Sequence, residues 1–166
     1  MPGVSNSSPL IYLATLGDLN LLPQLFGHIF VPEAVHNEVV IAGRGKSGAE
    51  SVAAARGDWL IVEPVRDRPR VEMLRKSYGL DFGEAEAIIL AQELGHRIVF
   101  LDDHSAVIVA RTSGLEVVRT PALYVTAKKH RLIDSVRRRL DALRAEGFWL
   151  KDADYLTVLG AADELP

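Results

Sequence analysis

The chain has 166 residues, 48% hydrophobic and 25% charged, with no cysteine, which suits one globular domain and excludes disulfides, thiolate zinc sites and cysteine nucleophiles. Nineteen Lys and Arg against 22 Asp and Glu leave a formal charge of −3, so nucleic acid could be held only by a local basic patch. Met1-Pro2-Gly3 starts no signal peptide and no apolar run is long enough for a bilayer, so a cytoplasmic protein with no membrane partner is expected.

Gly3-Val4-Ser5 reads as a short strand. Asn6-Ser7-Ser8-Pro9 then opens a helix, a capping side chain standing ahead of Pro in the first turn, and Gly17 stops it. A short helix over 19–26 precedes a small strand at Ile29-Phe30-Val31. Residues 32–42 read as one helix between Pro32 and Gly43. At about 100° per residue, Ala34, Val35, Val39, Ile41 and Ala42 form its apolar arc, with Glu38 inside that arc and Glu33, His36 and Asn37 opposite.

Gly43-Arg44-Gly45-Lys46-Ser47-Gly48 resembles a phosphate loop but lacks its preceding strand and full spacing, so it reads as a connector. A helix over 49–56, a strand at Trp59-Leu60-Ile61-Val62 and a helix over 71–78 follow. The helix of Asp81-Phe82-Gly83-Glu84-Ala85-Glu86-Ala87-Ile88 runs on to Leu94. Ala87, Ile88, Ala91 and Leu94 bracket Glu84, while Glu86 and Glu93 fall on the solvent side. Two readings of Glu84 stand: an acid on the core-facing stripe, or the capping-box partner of Asp81.

Arg97-Ile98-Val99-Phe100-Leu101 reads as a buried parallel strand that delivers Asp102 and Asp103 to its C-terminal edge, where open α/β sheets place their sites. A helix over 105–112 and a strand over 115–118 complete an alternation that predicts an α/β fold with a central parallel sheet. From Pro121 onward only helices are expected, over 121–130, 135–146 and from about 151. Lys128, Lys129, Arg131 and Arg137 to Arg139 form the one candidate basic patch, the alternative being a solvated helix face. Phe148, Trp149, Leu150 and Tyr155 would cover a sheet edge or meet a second copy.

Asn6, Glu38, Glu84, Asp102 and Asp103 thus place oxygen donors at the ends of elements. Hard cations such as Mg²⁺ or Mn²⁺ take such donors, commonly one or two carboxylates with water. Bound there, they activate water and steady the charge of a phosphoryl transition state.

Four blocks carry a family resemblance: Val4 to Ile11, Pro32 to Val39, Leu80 to Ile88, and Leu101-Asp102-Asp103. They resemble the motif blocks of PIN domains, of a prokaryotic kind related to VapC-type toxins, over about residues 3–125. The resemblance implies a three-layer α/β/α sandwich as one PIN-like domain over 1–166, with a core of about 3–125 and a helical extension of about 126–166. It also implies Mg²⁺- or Mn²⁺-dependent cleavage of RNA. Glu38, Glu84 and Asp103 match the acids of the family. Asp102 is a neighbour that assists or faces solvent, and Asn6 stands where Asp is usual, offering a carbonyl oxygen without charge.

Ser7 or Ser8 would cap the helix or touch metal or substrate phosphate. Arg44, Lys46 and His104 would guide the RNA backbone, while His36, on the solvent arc, is no ligand. An antitoxin protein and a homodimer are the partners implied. Two further readings are a PIN fold that binds RNA or protein without turnover, favoured by Asn6, and a receiver-like phosphatase, for which no Thr and Lys partners are found.

Overall fold

The computed structural model describes residues 1–46 and 48–166, so Ser47 of the expected connector lies outside the described residues. Short β-branched and aromatic runs form strands β1 (Gly3–Ser5), β2 (Ile29–Pro32), β3 (Leu60–Glu63), β4 (Ile98–Phe100) and β5 (Glu116–Val118). Every pairing is parallel and the order is β3-β2-β1-β4-β5. The chain therefore lays strands to one side of β1, then returns to place β4 on its other side. The order reverses between β1 and β4, and the C-terminal ends of strands at such a switch point are the usual ligand position in open parallel sheets.

The helices of this part are α1 (Ser7–Thr15), α2 (Leu21–Phe26), α3 (Glu33–His36), α4 (Ala49–Ala55), α5 (Arg68–Tyr78), α6 (Phe82–Leu94) and α7 (His104–Thr112). With the sheet they make the three-layer α/β/α sandwich that the alternation predicts. Parallel strands are buried on both faces, and Val4, Ile29, Val31, Leu60, Val99 and Phe100 are accordingly closed to solvent.

Helix α6 is the central prop. It packs on β1, β2 and β4 and also against α5, so Gly83 and all residues from 85 to 91 are buried. Two expectations fail for that reason. Glu86 is not on a solvent face; it is 5% exposed and takes a 2.6 Å ion pair from Arg68 of α5. Leu94, at the helix end, is 37% exposed rather than part of the core stripe.

The chain divides into two compact units, Met1–Val118 and Arg119–Pro166. The second holds α8 (Thr120–Lys129), α9 (Val136–Ala145) and α10 (Asp152–Ala161). Ser135 caps α9 by accepting from the Arg138 N–H at 3.2 Å. Glu164 ties this unit together. Its carboxylate accepts from Lys128 Nζ at 2.9 Å and from the N–H groups of Val136 and Arg137 at 2.6 and 2.8 Å. Phe148 and Leu150 are buried here, whereas Trp149 is exposed. Among the described residues no helix is long and apolar enough to cross a membrane.

Candidate functional site

Asn6 follows the C-terminal end of β1 and precedes α1. Its N–H donates to the Phe100 carbonyl of β4 at 3.1 Å, and the Ser5 hydroxyl donates to the Asn6 carbonyl at 2.9 Å, which fixes the backbone on both sides. The side chain is 6% exposed, and its Oδ1 is buried without a hydrogen-bond partner. A buried amide oxygen left unpaired costs free energy, so it marks a position where a donor or a cation would be welcome. No side chain caps α1, contrary to the expected role of Asn6, Ser7 or Ser8. Ser7 instead donates its hydroxyl to Glu38 Oε2 at 2.7 Å, while Ser8 is half-buried.

Glu38 reaches this point by a backbone that the 100° wheel misplaces. After α3 the chain widens into a π-helical turn, Asn37–Ala42, whose i→i+5 pairing rotates each following residue away from its α-helical position. Val39 stays in the core, but Ile41 is 56% exposed, and Glu38 lies on the exposed side rather than in an apolar arc. His36, expected in solvent, is 6% exposed, and burial followed by the charge of Arg56 holds its pKa below the usual value.

Gly83 lets α6 close on these groups. A Cβ at that position would stand 2.8 Å from Asn6 Oδ1, 3.3 Å from Val35 Cγ2 and 3.5 Å from Glu38 Oε2. Only glycine permits this approach without displacing a site oxygen. One residue on, the capping box is real: Asp81 Oδ1 accepts from the Glu84 N–H at 2.7 Å, and Glu84 Oε2 accepts from the Asp81 N–H at 3.0 Å.

The box does not exclude an electrostatic role. Burial first, and the charges of Asp81, Asp103 and Glu38 after it, push the Glu84 carboxyl up to about 7 against the opposing Asp81 N–H. Neighbouring negative charges disfavour the ionised form of a carboxylate.

Asp103 caps α7, accepting from the Ala106 N–H at 3.0 Å, and stays exposed. Asp102 is 9% exposed, so it does not face solvent. His104 is exposed at the first position of α7. Arg44 and Lys46 are exposed on the loop after the π-helical turn, where their N–H groups donate to the Ile41 and Gly43 carbonyls. Sequence reasoning missed three contributors: the Ser7–Glu38 bond, the close approach at Gly83, and Arg75, whose guanidinium stacks on Phe82 next to Gly83. Only Gly83, an unusual glycine in the first turn of a helix, left a readable signal.

A family model described as PIN domain matches residues 2–164. The chain belongs to the PIN domain family. PIN domains are generally nucleases, and those nucleases generally use divalent metals. No curated protein matches this chain.

The donor set of this PIN domain suits a hard cation in part. Among the described residues no three Asp, Glu or His side chains come together closely enough to hold an ion alone. The unpaired Asn6 Oδ1 supplies a further neutral oxygen beside Glu38, and Mg²⁺ is commonly held by one or two carboxylates with water completing its shell. Of the expected ligands, Asn6 and Glu38 are the two that the packing at Gly83 brings together, while Glu84 feels the charges of Glu38 and Asp103.

Proposed function

We propose that this PIN domain is a Mg²⁺- or Mn²⁺-dependent ribonuclease that hydrolyses RNA phosphodiester bonds at the corner formed by Asn6, Glu38, Glu84, Asp102 and Asp103. The observation that carries it is the Oδ1 of Asn6, buried and without a partner among the described residues, which meets Glu38 at Gly83 of α6, one residue before Glu84, itself crowded by carboxylates. A divalent cation held there supplies water of lowered pKa and charge compensation at the phosphoryl group.

The chain's own groups do the rest. Ser7 fixes one Glu38 oxygen by its 2.7 Å bond, which sets the carboxylate's orientation. Glu84, raised to about 7 by burial and by the neighbouring acids, is the carboxylate that the cation would hold ionised. Ser8, Arg44, Lys46 and His104 are assigned to the RNA backbone, as phosphate contacts that position without reading sequence.

Further parts of this reading rest on the resemblance of the motif blocks to VapC-type toxins: a toxin role with an antitoxin partner, a homodimer, and a cytoplasmic setting. The family match across 2–164 supports taking 1–166 as one PIN-like domain, while the core over about 3–125 and the extension over about 126–166 rest on the reach of the motif blocks.

The test is cleavage of a mixed RNA pool by purified protein with Mn²⁺, with Mg²⁺ and with EDTA, beside Glu84→Gln. Metal-dependent products that vanish in the variant are expected. If folded protein cuts nothing under any metal, the nuclease reading fails. The neutral Asn6 would then favour the second reading, an RNA- or protein-binding module without turnover.

A further inference from the structure

Phe82 is a large apolar residue at the first position of α6, and it is 42% exposed. The Arg75 guanidinium carbon lies 3.4 Å from its ring centroid, a stacked contact that covers one face and fixes the ring. Arg75 is itself held by a 3.2 Å pair with Glu72. The next residue, Gly83, abuts Asn6 and Glu38, so the ring stands one residue from the acid corner. Exposed aromatics that are rigid on one side and open on the other are the platforms on which unpaired bases stack.

Charge adds a second argument. Residues 1–118 carry ten Lys and Arg against fifteen Asp and Glu, a net −5 around an acidic corner. Phosphate attraction is a poor source of affinity for RNA on such a surface. Stacking needs no net positive charge, because every base presents a π-face.

We propose that Phe82, backed by Arg75, is a base-stacking subsite that seats one unpaired nucleobase beside the acid corner. This rests on the nuclease reading, but it is tested by binding, so the two can fail separately. The measurement is fluorescence anisotropy of a labelled eight-nucleotide oligo(A) RNA and of an eight-unit abasic RNA, in a Glu84→Gln background that prevents turnover. The parent should bind the base-bearing strand about tenfold more tightly than the abasic one.

Phe82→Leu, which keeps apolar bulk, should erase that preference while leaving abasic binding unchanged, and Phe82→Trp should retain it. The same discrimination, with no cleavage by the wild-type chain, would sink the nuclease reading and leave the subsite standing. Equal binding of both strands by the parent, binding of neither, or an unaltered preference in Phe82→Leu would overturn the subsite.

Discussion

Glu84 and Glu164 are both partly buried carboxylates, one in each compact unit, yet they are driven in opposite directions. Burial raises Glu84, and the neighbouring charges of Asp81, Asp103 and Glu38 add to it, leaving it at about 7. Burial also disfavours the Glu164 charge, but Lys128 and the N–H groups of Arg137 and Val136 more than offset this and hold it at about 2. Glu164 is a finished structural clamp. Glu84 has one backbone donor and three acids about it, a crowding of like charge that the proposed cation would relieve.

Four predictions would break or sharpen that contrast. The largest concerns Glu84→Gln, which keeps the capping box but removes the charge. Metal-dependent RNA cleavage should fall by about 10²-fold or more in single-turnover assays; an undiminished rate would remove Glu84 from the chemistry. Next comes Glu164→Gln, which strands Lys128 and weakens two backbone bonds. It should cost about 2–3 kcal/mol in denaturant unfolding while metal affinity stays as in the wild type.

Gly83→Ala follows. The gain in helix propensity, about 1 kcal/mol, opposes the clash with Asn6 Oδ1, so stability should change by less than about 2 kcal/mol in either direction. Metal affinity measured by calorimetry should nevertheless drop, because the displaced atom is a proposed ligand.

The smallest effect is in pH. Glu84 has its folded value above the ordinary 4.5, so its contribution is fully present below about 4.5 and is lost as pH rises to about 7. Glu164 behaves oppositely, its contribution being present above about 4.5 and lost as pH falls toward 2. In EDTA at pH 8, Glu84→Gln should therefore unfold at a slightly higher temperature than wild type, by about 1 kcal/mol after allowance for solvent screening. At pH 4 that advantage should vanish. A variant less stable than wild type at pH 8 would contradict the crowding of carboxylates.

Much of the fold was legible because its signals are local. The apolar run before Asp102-Asp103, the Gly17 stop and the alternation of strands and helices each follow from short-range pattern, and the sheet followed from them. What escaped depended on neighbours or on an uncommon backbone. Glu86 has a solvent-facing position on a wheel only if α5 is ignored, and Arg68 of α5 is the partner that allows its burial. Glu38 left the apolar arc because residues 37–42 form a π-helical turn, to which a wheel of fixed 100° steps is blind, whereas the burial of His36, which precedes that turn in α3, has no such explanation.

The candidate site was legible as residue types and not as contacts. Asn6, Glu38, Glu84 and Asp103 could be named from the motif blocks. That Ser7 would bond Glu38 across 31 positions, or that Gly83 would press against Asn6, needed the packing of α6 on the sheet.

The most direct measurement is a Mn²⁺ titration at pH 7.5, followed by the loss of the free-ion paramagnetic resonance signal, for wild type, Glu84→Gln and Asn6→Asp. The account predicts saturable binding by the wild type, marked weakening in Glu84→Gln, and tighter binding in Asn6→Asp, where a charge joins the neutral oxygen. Folded wild-type protein that takes up no Mn²⁺, or binding indifferent to both substitutions, would contradict it.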